Sequence, residues 1–136
     1  MRRLELKPHP EGGWYRQSWA APRKGGARPA GTAIYYLLDR GGRSHWHRVD
    51  ATEIWHFYAG SPLRLRLAAS SAGPAREIRL GPDIHSNQSP QVIVPEGWWQ
   101  SAHSPGGWAL VGCTVSPGFR FEGFELAPPG FDIPGP

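Results

Sequence analysis

Apolar and polar residues alternate along much of this chain, and each alternating stretch is short. Between Leu63 and Leu67, three leucines are separated by Arg64 and Arg66, which is the pattern of a strand with one buried and one solvated face. Glycine and proline interrupt the pattern so often that long helices have no room. The same pattern predicts ten strands, at 14–19, 32–38, 44–49, 53–58, 63–68, 77–80, 91–94, 98–103, 108–115 and 119–126.

Ten short strands without a helical period predict an all-β fold, either a closed barrel or a jelly roll with an interior pocket. Leu63, Leu65 and Leu67 are expected in its core. A length of 136 residues is enough for one domain with a core of its own, so residues 1–136 are predicted to form a single domain. The proline-rich tail from Pro128 is expected to lie over the surface, held there by Phe131 and Ile133.

Composition and charge argue against several classes of partner and site. The net charge of +4, from 15 basic and 11 acidic residues, is spread along the chain and forms no basic stripe, so no nucleic-acid partner is expected. Cys113 is the single cysteine, which excludes an intrachain disulfide and a cysteine-based zinc cluster. No apolar run of membrane-spanning length and no secretion signal is seen in the sequence, and we therefore expect a cytoplasmic protein without a membrane partner.

The chemistry is concentrated in the stretch GRSHWHRVDATEIWHFYAG, residues 42–60. His45 and His47 are two apart, so on a regular strand both rings point to one face. Glu53, Trp55 and Phe57 share a face of the next strand by the same rule. Two imidazoles and a carboxylate on one face can hold a metal or move a proton.

The other histidines are expected to have no part in this site. His56 alternates with Trp55 and Phe57, so its ring should point away from the pocket, towards the surface or a dimer interface. His9 and His85 lie among proline, glycine and polar residues, and both are expected to be solvated.

Residues 42–60 resemble the first motif of the cupins, G-x5-H-x-H-x3-4-E-x6-G. His45 and His47 match its histidines, Glu53 its carboxylate and Gly60 its final glycine. The segment Pro95 to Gln100 resembles the start of the second cupin motif, P-x-G-x2-H. In cupins these motifs lie on facing strands of a small β-barrel.

The resemblance extends over almost the whole chain to one branch, the small single-domain cupins called cupin family five. It implies a double-stranded β-helix, usually dimeric, in a branch whose activity is mostly unassigned. The segments that carry it are HPEGGWYR (9–16), TAIYYLL (32–38), HRVDATEIWHFYAG (47–60), PQVIVPEGWWQSA (90–102) and LVGCTVSPGFRFEGFELA (110–127).

Two departures from the general cupin pattern affect the chemistry. Five residues rather than three or four separate His47 from Glu53, and Gln100 occupies the place of the histidine that serves as fourth metal ligand. A neutral amide is a poor ligand for a transition metal. His45, His47 and Glu53 could still form a facial site for a divalent metal with open positions.

The predicted pocket centres on His47, Glu53 and Gln100. Small-molecule sites usually surround a few polar groups with apolar walls. Arg16, delivered by the turn at residues 12–13, would suit a carboxylate or phosphate at the rim. Three aromatic side chains share a predicted face with Glu53 or Gln100 and are candidates for ligand contact: Trp55, Phe57 and Trp98. The other two candidates are His45 and the phenol of Tyr35, in the predicted strand at 32–38.

Three functional classes remain open. The first is a metal-free enzyme resembling sugar-nucleotide epimerases, with His47 as base, Glu53 orienting it and Tyr35 as acid. The second is a metal-dependent dioxygenase or isomerase with the metal on His45, His47 and Glu53. The third is a noncatalytic ligand-binding module. We favour a small-molecule-binding cupin with metal-free chemistry on a carbohydrate-type or other small polar ligand, and we expect a homodimer.

Overall fold

A computed structural model describes residues 3–23 and 25–136 of the chain. No helix in these residues is long and apolar enough to cross a membrane. The two helices are single 3-10 turns, Ile84–Ser86 and Phe121–Gly123. The strands are β1 Lys7–Pro8, β2 Trp14–Ala20, β3 Thr32–Leu38, β4 Arg43–Val49, β5 Thr52–Gly60, β6 Leu63–Ala68, β7 Arg76–Leu80, β8 Gln88–Ser89, β9 Gln91–Val94, β10 Trp99–His103, β11 Ala109–Ser116 and β12 Phe124–Leu126.

The strands form two six-stranded sheets that enclose the core. Sheet A has the order β1-β2-β3-β11-β5-β9, and sheet B has the order β12-β4-β10-β6-β7-β8. Every pairing is antiparallel except the short β7–β8 pair. In the middle of each sheet, strands distant in the chain are neighbours, as with β3, β11 and β5 in sheet A and β4, β10 and β6 in sheet B, which is the arrangement of a jelly roll. The predicted all-β fold is confirmed.

The alternation seen in the sequence places the core between the sheets. Leu63, Leu65 and Leu67 are at most 1% exposed, as predicted. Arg64 and Arg66 lie on the outer face of sheet B. Facing them from sheet A are buried side chains of β5, β9 and β11, including Val92 and Val111.

The predicted strand at 119–126 is largely wrong, because only Phe124–Leu126 is extended. Before it the chain makes a 3-10 turn, and Asp50 N–H donates to the carbonyl of Gly123 (3.1 Å). Phe119, Phe121 and Phe124 pack against one another in this segment, with ring centroids 5.0–6.1 Å apart. Aromatic clustering at the open end of the two sheets has replaced strand alternation here.

The C-terminal tail lies over the outer face of sheet B. Ile133 is completely buried there, and the ring of Phe131 packs against that of Trp99, with centroids 5.1 Å apart and planes tilted by 35°. Trp46 Nε1–H donates to Asp132 (2.9 Å), which also accepts from Arg66 (3.1 Å). The prediction that Phe131 and Ile133 hold the tail down is confirmed.

Candidate active site

A β-bulge in β4 decides which histidine faces the core. Gln100 pairs with His47 and Ala102 pairs with Ser44, so three steps along β4 match two steps along β10. The extra residue breaks the alternation of faces. Ser44 and His47 are therefore both buried, at 1% exposure each, although they are an odd number of residues apart.

His45 lies on the other side of the sheet. Its Nε2 is 3.0 Å from the carbonyl oxygen of Pro128 in the surface tail, and it lines an outer groove with Arg66 and Ser101. The prediction that His45 and His47 share one face is wrong, because it assumed a regular strand. As a result His45 does not meet His47 and Glu53 in one site.

Glu53, Gln100 and Trp55 form a buried chain of hydrogen bonds, and the prediction that they lie together on the inner faces of two strands holds. The indole N–H of Trp55 donates to Gln100 Oε1 (2.7 Å), and Gln100 Nε2 donates to Glu53 Oε1 (2.9 Å). The indole N–H fixes the amide orientation of Gln100 because it can only donate. Gln100 thus holds the Glu53 carboxyl in place.

The segment HPEGGWYR adds two residues that the sequence analysis did not assign to the site. Gly12 and Gly13 have φ of +107° and +76°, and a Cβ on Gly12 would lie 2.2 Å from the carbonyl oxygen of Arg43. This tight turn, available to glycine, packs against β4 and brings His9 and Glu11 into the interior. Both are buried, at 8% and 9% exposure. The expectation that His9 is solvated is wrong, whereas His85 is exposed as expected.

Glu11 is the centre of the buried polar group. One carboxyl oxygen accepts a short hydrogen bond from Ser44 Oγ and is 3.5 Å from His47 Nε2. The other oxygen is 3.3 Å from His9 Nδ1. The carboxyl that contacts His47 is therefore Glu11, and no direct contact joins His47 to Glu53 among the described residues, although their charges interact.

Burial sets the protonation of this pair. Desolvation raises the pKa of Glu11 to about 8, an effect that its hydrogen bonds with Ser44 and Tyr36 only partly offset. Desolvation also lowers the pKa of His47, against the opposing charge of Glu53. Since burial disfavours both charged forms, at neutral pH the pair is a protonated carboxyl beside a neutral imidazole.

Hydrogen bonds to the backbone fix the tautomers of the two inner histidines. His47 Nδ1 is 2.7 Å from the carbonyl oxygen of His45, which only accepts, so Nδ1 carries the proton and Nε2 keeps its lone pair. For His9, the backbone N–H of Glu11 donates to Nδ1 (3.2 Å), so the ring proton is on Nε2. Burial, helped by the charge of His47, lowers the pKa of His9 to about 4.

Tyr36 is the interior tyrosine. It is 1% exposed, and its hydroxyl donates to the carbonyl oxygen of Gly12. Burial raises its pKa well above the usual range. Tyr35, which we predicted as the acid, lies on the outer face of sheet A, 6.1 Å from the ring of Tyr58 and 5.8 Å from the Arg16 guanidinium. That placement contradicts a role for Tyr35 in this pocket, because strand alternation turns one tyrosine in and its neighbour out.

A cavity of about 320 Å³ opens onto these groups. His9, Glu11, His47 and Glu53 are its titratable lining. The aliphatic and aromatic walls around them are formed by Ile34, Val49, Val115, Phe119, Phe121 and Phe124. The rim is formed by Lys7, Tyr15, Arg16 and Gln17, and it includes the arginine predicted there.

The other aromatic candidates support the site from the core and do not line the cavity. Trp55 is 1% exposed beneath it, and Phe57 and Trp98 pack against the main hydrophobic cluster. The walls come instead from the phenylalanines of the irregular segment before and at the start of β12. His56 faces away from the cavity, as expected, with Nε2 3.0 Å from Thr114 Oγ1.

The fold and the pocket define a small cupin-type jelly roll with a polar interior site. Residues 1–127 match the family described as "Cupin superfamily (DUF985)". The chain therefore belongs to this family, and the resemblance seen in its sequence is confirmed. No curated protein matches the chain.

Solved structures agree with this assignment. A protein from Shewanella oneidensis is 40% identical with a TM-score of 0.86, over 93% of this chain and 80% of that one. A hypothetical protein from Leishmania major is 31% identical with a TM-score of 0.81, over 93% and 84% of the two chains. Oxalate decarboxylase from Bacillus subtilis is similar in fold alone, at 14% identity and a TM-score of 0.68, over 90% of this chain and 30% of that one.

The cupin fold implies a divalent metal, and the side chains present do not fit one. Within residues 3–23 and 25–136, no three histidine, cysteine, aspartate or glutamate side chains are arranged to hold a metal ion. His45 is outside the pocket, and the position of the fourth ligand is Gln100, whose amide is bound to Trp55 and Glu53. A protonated Glu11 beside His47 is also a poor anionic ligand.

Proposed function

We propose that this protein is a metal-free cupin enzyme that transfers a proton within a small polar ligand, with His47 as base and Glu11 as acid. The observation that carries the proposal is the His47–Glu11 contact at 3.5 Å in the cavity lining. A neutral imidazole with a free lone pair beside a protonated carboxyl is a matched base and acid at neutral pH.

The proposed step needs no added reactant. His47 Nε2 takes a proton from a carbon next to a carbonyl of the ligand, and Glu11 gives its proton to the carbonyl oxygen, which leaves an enol. The imidazolium that forms is stabilised by the bond from Nδ1–H to the His45 carbonyl and by the nearby charge of Glu53. Collapse of the enol returns one proton to carbon and one to Glu11.

The placement of the two groups favours an isomerase over an epimerase. Inversion at a carbon needs a proton donor on the face opposite the base, or a ligand that turns over in the site. His47 and Glu11 are adjacent, His9 lies beside the same carboxyl at 3.3 Å, and the phenylalanines 119, 121 and 124 belong to the apolar part of the walls. We therefore propose proton transfer on a single face of the ligand, as in interconversion of an aldehyde sugar and a keto sugar.

The rim and walls support a ligand with an anionic end. Lys7 and Arg16 are cations at the rim, with Arg16 3.6 Å from Glu5, whereas His9, Glu11 and His47 are neutral at pH 7. Arginine binds carboxylate and phosphate in a bidentate manner. The walls suit the carbon skeleton of a sugar, so we propose a small sugar acid or sugar phosphate as the ligand class.

Solvent deuterium exchange tests the proposal directly. Wild-type protein is incubated in D2O with a panel of small aldose phosphates, ketose phosphates and sugar acids, and ¹H NMR follows loss of the C–H signal next to the carbonyl. We expect exchange in at least one substrate, and a loss of at least about a hundredfold in His47→Ala and Glu11→Gln. The rate should fall above pH 8, as Glu11 loses its proton.

The same assay separates the other two classes. Exchange that requires an added divalent metal, and that a chelator abolishes, would place the protein among metal-dependent cupins. Binding of a panel compound without exchange, weakened more by Phe124→Ala than by His47→Ala, would indicate a binding module. His56→Ala, on the outer face of sheet A, is the matched histidine control and should leave the rate unchanged.

We also propose that two copies pair through the outer face of sheet A. Ile93 and Tyr58 on this face are 60% and 52% exposed; Ile54 is the register partner of Ile93, and the ring of Tyr35 is 6.1 Å from that of Tyr58. Adjacent exposed apolar side chains on a sheet commonly mark an interface. Light scattering should give about twice the chain mass of 15.0 kDa, and Ile93→Asp should reduce it to the mass of one chain.

A further inference from the structure

Four basic side chains form a row on the outer face of sheet B, away from the cavity. His103 on β10 is the register partner of Arg43 on β4 and of Arg64 on β6. Arg64 is in turn the partner of Arg79 on β7. With neighbouring strands about 4.8 Å apart, the row extends about 14 Å across four strands.

The arginines of this row have no carboxylate partners in the part of the chain that the structure describes. Five other arginines form ion pairs: Arg16, Arg28, Arg48, Arg66 and Arg120. In the next row of the same face, Arg66 is the register partner of Glu77, so charge is balanced there. The row of Arg43, Arg64 and Arg79 is the unbalanced one.

Like charges directly opposite one another across strands destabilise a sheet. The effect is visible at His103, where burial and the charges of Arg43 and Arg64 lower the pKa of the imidazole, and Glu77 opposes them weakly. A multiply charged anion lying along the row would remove this repulsion. The free energy of that relief would add to the affinity for the anion.

A groove of about 320 Å³ runs beside the row and gives such an anion a place to lie. Arg43, Arg64 and His103 line it, with Arg66 and Ser101 on the same face. Two aromatic side chains, Trp46 and Phe131, and the carboxylate of Asp132 also line it, together with residues 44, 45 and 102. Asp132 is bound to Arg66 and Trp46, so its charge is already compensated.

We propose that Arg43, His103, Arg64 and Arg79 bind a linear oligophosphate along the outer face of sheet B. A straight row of cations matches an anion that carries charge at each unit, and guanidinium groups bind phosphate through paired hydrogen bonds. A single phosphate would engage only part of the row. The site is independent of the proposed proton transfer, because it lies on the opposite face of the sheet from His47.

Inorganic tripolyphosphate is the probe for the first experiment. Calorimetry at about 0.15 M salt, where weak surface attraction is screened, measures affinity, and ¹H NMR follows the His103 ring through a pH titration. We expect tripolyphosphate to bind and to raise the pKa of His103, since an adjacent anion favours the imidazolium. Absence of binding, or binding without a response at His103, would overturn the proposal.

Matched variants test the row itself. Arg64→Ala should weaken tripolyphosphate binding about tenfold, as expected for the loss of a charged hydrogen-bond partner. Arg76→Ala removes the same charge from an exposed position on β7 outside the row, and it should change affinity less than about twofold. Equal weakening by both variants would mean attraction to net charge alone and would overturn the site.

Adenosine triphosphate distinguishes the two sources of a phosphate chain. Binding of the nucleotide as tightly as tripolyphosphate, with the same loss in Arg64→Ala, would assign the site to a nucleotide phosphate tail. Binding of tripolyphosphate alone would assign it to inorganic oligophosphate. Both results support the row as a phosphate site, whereas tighter binding of inorganic monophosphate than of tripolyphosphate would contradict it.

Discussion

The space between the two sheets has two ends that are built differently. At the closed end Leu63, Leu80 and Ala109 are completely buried and fill the interior with apolar atoms. At the site end, Glu11 and His47 are also buried, but they line a cavity. Strands β5 and β11 run through both ends, so the same backbone carries both environments.

The difference lies in how burial is compensated. At the closed end removal of apolar surface from water stabilises the fold directly. At the site end each buried polar group needs a partner, and no buried side-chain nitrogen or oxygen in the described residues lacks one. The shifted pKa values of Glu11 and His9 nevertheless record a desolvation penalty. The closed end therefore stabilises the protein, and the site end costs stability and holds reactive groups ready.

Leu63→Ala should have the largest effect on stability. Leu63 is fully buried at the closed end, so its truncation leaves a cavity, and we expect the free energy of unfolding to fall by about 2–5 kcal/mol. Chemical denaturation measures the change. Deuterium exchange at the active site should persist under native conditions; loss of exchange in the folded variant would mean that the two ends are not independent.

Gln100→Leu tests whether the site end depends on its hydrogen-bond chain. The change leaves the Trp55 indole N–H and the Glu53 carboxyl without their shared partner, so we expect a loss of about 1–3 kcal/mol in the free energy of unfolding. Gln91→Leu, at an exposed position on β9, is the control and should be nearly neutral. Equal stability of the two variants would contradict the importance of this chain.

Glu11→Gln should change the pH dependence of stability. The folded protein keeps the Glu11 proton up to pH about 8, whereas the unfolded chain loses it near the ordinary glutamate pKa of 4.5, so stability falls as pH rises between these values. His9 acts in the opposite direction between its folded pKa of about 4 and the ordinary histidine pKa of 6.5. From pH 6.5 to 8, the proton held by Glu11 lowers the free energy of unfolding by about 1.4 kcal/mol for each unit that the pH rises.

We therefore expect Glu11→Gln to flatten the stability profile above pH 6.5. Thermal unfolding in a series of buffers measures the profile. A variant with the wild-type slope would show that Glu11 is ionised in the folded protein at neutral pH.

His45→Ala should have the smallest effect. Its hydrogen bond with the Pro128 carbonyl is on the outer face, and we expect a loss of less than about 1 kcal/mol and unchanged exchange activity. The result sharpens the contrast with His47 on the same strand. A large loss of activity in His45→Ala would require a site that spans both faces of sheet B.

Much of the fold and part of the site were predictable from the sequence. Alternation predicted the leucines of β6, and the cupin motifs predicted that Glu53 and Gln100 would meet on the inner faces. Glu11 and His9 were missed because they lie in the loop between β1 and β2, whose sequence reads as solvated. The paired glycines at residues 12–13 were the available signal, since a positive-φ turn there folds the loop inward.

By itself, then, the sequence determined the all-β architecture, the buried side of β6 and the family, because these depend on local periodicity and on motif spacing. Tertiary structure decided which histidine faces the pocket, and which of the two adjacent tyrosines of β3 points into the interior. One extra residue in β4 against β10 turned His45 outward, a shift in pairing that no single strand encodes. The protonation of Glu11 was likewise decided only by folding, because its raised pKa comes from removal of water by residues far away in the chain.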